Sequence, residues 1–130
     1  MVINLADVKN NDFASVAGEI NALRKIAGER ILKVIVETCF LTDAEKIALC
    51  RIVTDSAADY IKTSTGFGTG GATMDDVLLF KANIGPEVKI KASVGIRTRE
   101  DMVMYIEAGC SILGTSSAVS ILTDGTATGY

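Results

Sequence analysis

Short apolar runs and amphipathic stretches alternate along the whole chain. Met1-Val2-Ile3-Asn4-Leu5 is an apolar run at the very start. Asn11-Asp12 then offers an N-cap, and Phe13, Val16, Ile20, Leu23 and Ala27 recur at helical spacing until Gly28 ends the helix. Leu32-Lys33-Val34-Ile35-Val36-Glu37, rich in β-branched residues, predicts a strand. Thr42-x-x-Glu45 is a capping box ahead of the stripe Ala44, Ile47, Ala48 and Ile52. A strand holding Lys62 follows. Thr73-x-x-Asp76 opens the next helix, with Met74, Val77, Leu78 and Ala82 on one face, and Gly85-Pro86 breaks it. Val88 to Ser93 predicts a further strand. Thr98-x-x-Asp101 caps a helix whose inner face is Met102, Tyr105, Ile106 and Gly109. Ser111-Ile112-Leu113-Gly114 is the last strand, and Thr115-Ser116-Ser117 opens a final short helix.

This is an α/β pattern of five β-α units. Strict alternation with helical crossovers implies a parallel sheet with right-handed connections. Either an open doubly wound sheet or part of a (β/α)8 barrel fits. A full barrel needs about 250 residues, and the 130 residues here cover about half of one. The chain reads as one partial domain over 1–130, with a polar, mobile tail over 123–130.

Charge narrows the function. The formal net charge is −3, so nothing favours nucleic acid or an acidic membrane surface. The apolar runs are strand-sized, far below the roughly 20 residues that span a bilayer. No charged-then-apolar leader stands at Met1. Cys39, Cys50 and Cys110 are too widely spaced for a zinc site or a disulfide framework, and they read as reduced cytoplasmic thiols. The chain has no histidine, which excludes imidazole catalysis and leaves proton transfer to Lys, Asp, Glu, Tyr or water.

The candidate chemistry centres on Lys62. A lysine inside an apolar strand loses hydration, so its neutral amine becomes accessible and can attack a carbonyl to form a Schiff base. Tyr60, Lys62 and Ser64 share one strand face, as do Lys89, Lys91 and Ser93. If the strands are neighbours, Lys91 approaches Lys62 and disfavours its charge. Gly95-Ile96-Arg97-Thr98 and Gly114-Thr115-Ser116-Ser117 stand at strand–helix junctions, where backbone N–H groups suit a phosphate; plain N-capping is the competing role. Glu37 orients a lysine or is structural. Cys39 has no histidine to activate it and is rejected as a nucleophile.

At these motifs the chain resembles the class I deoxyribose-phosphate aldolases. The resemblance rests on Met1-Val2-Ile3-Asn4, Lys33 to Cys39, Ile61-Lys62-Thr63-Ser64-Thr65-Gly66-Phe67, Gly70-Gly71-Ala72-Thr73, Lys91-Ala92-Ser93-x-Gly95-Ile96-Arg97-Thr98 and Gly114-Thr115-Ser116-Ser117, all in order. It implies half of a (β/α)8 barrel that reversibly cleaves 2-deoxy-D-ribose 5-phosphate to acetaldehyde and D-glyceraldehyde 3-phosphate, in deoxyribonucleoside catabolism. No metal or organic cofactor is implied. Lys62 matches the Schiff-base lysine and Lys91 the lysine that perturbs it and transfers protons. Gly66, Gly95, Ile96, Arg97, Gly114, Ser116 and Ser117 fall where the family holds phosphate. Tyr130 resembles a C-terminal tyrosine that assists proton transfer.

Two departures matter. Val94 stands where the family usually has glycine, and a β-branched residue opposes positive φ. The family also carries further strands and an acidic residue ahead of the segment matching Met1 to Asn4. The chain therefore reads as a C-terminal fragment that associates with copies of itself or with a missing N-terminal half, and forms the imine with slow or absent turnover. The competing reading is a non-catalytic phosphate-binding or assembly module; another phosphate-sugar lyase or isomerase on this fold is weaker.

Overall fold

The computed structural model describes residues 1–124. Helices α1 (Leu5–Lys9), α2 (Phe13–Ala27), α3 (Asp43–Asp55), α4 (Met74–Asn83), α5 (Arg99–Glu107) and α6 (Ala118–Asp124) accompany strands β1 (Lys33–Ile35), β2 (Tyr60–Lys62), β3 (Lys89–Ser93) and β4 (Cys110–Gly114). The strands form a parallel sheet in the order β1-β2-β3-β4. Spatial order thus follows chain order, with α3, α4 and α5 as the crossovers that parallel neighbours require. Helix α6 reaches Asp124, so the start of the expected tail is helical. The rest of that tail, Tyr130 included, lies outside the described residues.

The sheet has four strands among the described residues, where the sequence predicts five. The first apolar run does lie parallel beside β1: Ile3 N–H donates to the Ile35 carbonyl at 3.1 Å, and Ile35 N–H to that of Met1 at 2.9 Å. It amounts to a single bridge, Val2 to Ile35. Asn4 ends it at once, because its side chain accepts the Ala6 N–H and caps α1. That helix spans five residues, too short to leave a periodic signature.

Period-two alternation divides the strands between two faces. Val34, Ile61, Ile90 and Ala92 are buried in one core with Val16, Ile20, Leu49, Val53, Val77 and Phe80 of the helices. On the other face, register aligns Ile35, Lys62, Lys91 and Ile112 in one row and Lys33, Tyr60 and Lys89 in the row below. The Tyr60 ring sits between two ammonium groups, Lys33 Nζ at 5.3 Å and Lys89 Nζ at 5.9 Å from its centroid, a cation–π arrangement.

Three helix faces differ in part from the periodic pattern. Helix α3 buries Leu49, Cys50 and Val53 most deeply, because it packs on α2 and α4 as well as on β2. In α4 and α5 the expected Val77 and Tyr105 are buried, but Phe80 joins them while Leu78 and Ile106 are exposed.

Thr42 and Thr98 form complete capping boxes with Glu45 and Asp101. Thr73 forms half of one: it accepts the Asp76 N–H, but the Asp76 carboxylate turns to Lys46 Nζ at 2.6 Å. Lys46 also reaches Asp43 at 3.1 Å. Burial alone lowers the Lys46 pKa, yet Asp76 and Asp43 outweigh it and hold the pKa above the ordinary value. The pair fastens α3 to α4 in a place where an unpaired charge is costly. Asp76→Ala is expected to destabilise the fold by about 3 kcal/mol, read from the urea unfolding midpoint. An unchanged midpoint contradicts that role.

Candidate active site

Lys62 is the last residue of β2, after Tyr60 and Ile61, both strongly β-forming. Parallel pairing sets Lys62 directly beside Lys91 of β3. Their side chains share the face away from the helices. The Lys62 pKa is lowered, first by burial and next by the Lys91 ammonium; Lys33 acts in the same direction and Glu37 opposes it. Neutralising one amine is the requirement for attack on a carbonyl.

Both lysines open into a cavity of about 750 Å³. Gly66, Gly95, Ile96, Arg97, Gly114 and Ser116 line it as well. Eight of the ten residues selected from the sequence thus meet around one space. Ser117 is not among the lining; it is buried at the start of α6, and its N–H donates to Thr115 Oγ1 at 3.1 Å. Tyr130 lies outside the described residues. A second cavity, about 450 Å³, opens near Ile31, Asp59 and Glu87 and is lined by neither Lys62 nor Lys91.

Thr65 and Phe67, which no sequence motif singles out as site residues, also line the cavity, as do Ser93 and Thr115 from the strand and loop motifs. The Lys91-x-Ser93 alternation was the available signal for Ser93. Its side chain is buried, and Ser93 Oγ has no hydrogen-bond partner among the described residues. Phe67 is 99% exposed at the cavity, where solvation normally disfavours a phenyl ring.

The expected phosphate loops divide in two. The N–H groups of Arg97 and Thr98 both donate to Asp101 Oδ2, at 2.9 and 3.0 Å. The helix α5 N-terminus is therefore already occupied by its own cap, and Arg97 is left to act through its exposed guanidinium. The N–H groups of Gly66, Gly95, Ile96 and Ser116 donate to no protein group among the described residues. They remain available to an anion. The Ile96 side chain itself is buried in the core, so its offering to the cavity is backbone.

Glu37 follows β1 in the left-handed region, at φ 58° and ψ 65°. It is only 4% exposed. Its carboxylate accepts from Thr65 N–H and from Thr65 Oγ1. Burial pushes the Cys50 thiol up to about 12 and the Cys110 thiol up to about 11, so both stay protonated and inert. Among the described residues, no helix is long and apolar enough to cross a membrane.

No protein-family model matches the chain. It is 58% identical, over all 130 residues, to a deoxyribose-phosphate aldolase of Clostridium botulinum, and it spans 59% of that protein. A crystal structure from Coccidioides immitis, assigned as a deoxyribose-phosphate aldolase, superposes with a TM-score of 0.90 at 41% identity, over 95% of this chain and 50% of the other. The tetrameric deoxyribose-phosphate aldolase of Aeropyrum pernix matches at a TM-score of 0.75 and 35% identity, over 82% of this chain and 47% of the other. The chain is homologous to the deoxyribose-phosphate aldolases. It spans a little over half the length of the curated relatives it matches, and its sheet is that of their barrel fold.

Val94 departs from the glycine expected of an aldolase at this point. Its branched side chain opposes positive φ, yet the structure places it at φ 72°, followed by Gly95 at φ 82°. Neighbouring bonds impose the strain. Val94 N–H donates to the Gly114 carbonyl at 3.1 Å, and the Ala72 N–H reaches both the Ser93 and Val94 carbonyls at 3.1 Å. A Cβ on Gly71 would lie 2.5 Å from the Val94 carbonyl oxygen, which explains a glycine there. Val94→Gly is expected to stabilise the fold by about 1 kcal/mol by removing this strain, measured as a raised urea midpoint. A lowered midpoint contradicts the strain.

Proposed function

We propose that the chain carries the nucleophile and the phosphate-binding side of a deoxyribose-phosphate aldolase, acting on 2-deoxy-D-ribose 5-phosphate. The observation that carries this reading is the direct Lys62–Lys91 pairing beside a cavity rimmed by unused N–H donors. The unprotonated Lys62 amine attacks the C1 aldehyde of the open-chain sugar, and water leaves as the imine forms. The C3 hydroxyl gives up its proton as the C2–C3 bond breaks. D-glyceraldehyde 3-phosphate departs, and the electron pair stays with the imine as an enamine. Protonation of the enamine and hydrolysis release acetaldehyde. Lys91 is the group nearest Lys62 on the sheet that can move these protons.

The phosphate is assigned to Gly66, Gly95, Ile96 and Ser116 through backbone N–H groups, and to Arg97 through its side chain. Gly114 keeps the wall thin, since a Cβ there would strike the Ser93 side chain and approach Lys91 Cε. Ser117 supports the Thr115–Ser116 turn, and Tyr130 is assigned a proton-transfer role from the aldolase pattern. No cofactor is needed. Nucleophilic attack asks mainly for Lys62, so this chain forms the imine even where turnover is slow.

Beside its small phosphorylated substrate, the chain takes a protein partner. The far edge of β4 pairs with no further strand among the described residues, and open edges favour pairing. A second copy or the complementary barrel half fills that role, in keeping with the assembly of the Aeropyrum pernix relative. The setting is cytoplasmic breakdown of deoxyribonucleosides.

Borohydride reduction of the chain in 2-deoxyribose 5-phosphate is expected to fix the sugar on Lys62, located by peptide mass spectrometry. Lys62→Ala removes the adduct. A folded chain that traps nothing, or traps equally at other lysines, contradicts the assignment.

A further inference from the structure

The phosphate-side wall of the cavity depends on a carboxylate that the proposed chemistry does not use. Glu37 Oε1 and Oε2 lie 3.1 and 3.3 Å from the Thr65 nitrogen, and Oε2 also takes the Thr65 hydroxyl. Thr65 Oγ1 in turn accepts the Phe67 N–H at 3.0 Å. One carboxylate therefore fixes three consecutive residues, of which the middle one, Gly66 at φ 104°, keeps its N–H free. The loop then folds back over the carboxylate. A Cβ on Gly68 would lie 3.1 Å from Glu37 Oε1 and 2.8 Å from Cys39 Sγ, so the glycine lets the loop pass close over the carboxylate. The left-handed backbone of Glu37 itself, between β1 and the turn Thr38–Phe40, points the same way. Strain of this kind persists where neighbouring structure requires it.

We infer that Glu37 is a positioning residue: through Thr65 it holds the Gly66–Phe67 turn in the shape that presents the Gly66 N–H and the Phe67 ring to a phosphorylated ligand. This rests on the phosphate site proposed above. The carboxylate has a second, separable effect. It acts on the Lys62 ammonium against Lys91 and Lys33, and so moderates the amine that the lysines depress. Tether and charge are distinct properties of one side chain, and two substitutions separate them. Thr65→Val removes the hydroxyl tether and leaves the charge; Glu37→Gln removes the charge from both.

The test is amide NMR of the whole chain, titrated with inorganic phosphate. In the wild type, phosphate moves the Gly66, Gly95 and Ile96 amides. Glu37→Gln is expected to speed hydrogen exchange at Thr65 and Phe67 and to weaken phosphate binding about tenfold, the scale of a lost charge-assisted hydrogen bond. Thr65→Val weakens it in the same direction and decides the tether should Glu37→Gln not fold. Borohydride trapping of acetaldehyde, which has no phosphate, supplies the second readout. Removing the negative charge disfavours the ammonium, so Glu37→Gln shifts the trapping profile to lower pH, and Thr65→Val does not. Wild-type phosphate affinity retained in both variants overturns the inference and leaves the phosphate site standing. A wild type that binds no phosphate removes the site and this inference together.

Discussion

Parallel strand register is the constraint on which the rest depends. A register shift of one residue in either strand would turn one lysine into the core and separate the pair. Register is held by the buried face: Val34, Ile61 and Ile90 stand in one fully buried row between the sheet and the helices. The same pleat that buries these three side chains turns Lys62 and Lys91 together to the other side. The lysine pairing is thus a by-product of core packing, and no dedicated contact between the two amines is required to hold them. The repulsion that two charges would feel there is relieved as Lys62 gives up its proton, and the hydrophobic burial behind the pair holds the strands in place.

The loops after the strands build on this base. Each leaves the same end of the sheet, so their backbone groups converge on one cavity. Asp101 occupies the N–H groups of Arg97 and Thr98 that open α5, so the N–H groups still unused at this junction are those of Gly95 and Ile96. Glu37 performs a comparable task for the loop after β2, taking up Thr65 and leaving Gly66 free. In both cases a carboxylate at a strand–helix loop is held by backbone N–H donors, and neighbouring N–H groups are left unused.

Much of this was legible in the sequence. The strand alternation around Lys62 and Lys91, the threonine caps and the glycine-rich junctions follow from local rules. What escaped reading was long-range. Val2 and Ile3 look like a full strand, but Asn4 ends the pairing after one bridge. Asp76 looks like a capping-box partner, yet Lys46 on another helix captures it. Glu37 and Thr65 stand 28 positions apart, and nothing local to either announces their contact. Val94 was read as opposing positive φ, and it adopts that conformation because Gly114 and Ala72 pin its backbone on both sides.

The chemistry turns on the state of one amine. Its direct measurement is the NMR titration of the Lys62 ε-amine in the folded chain, with Lys91→Leu as comparison. Burial and the Lys91 charge both favour the neutral form, so Lys62 is predicted to titrate below the ordinary lysine value near 10.4. Removing the Lys91 charge should move that midpoint upward. It should stop short of the ordinary value, because burial is the larger cause. A Lys62 that titrates like a free lysine, or that ignores the loss of Lys91, would contradict the central claim.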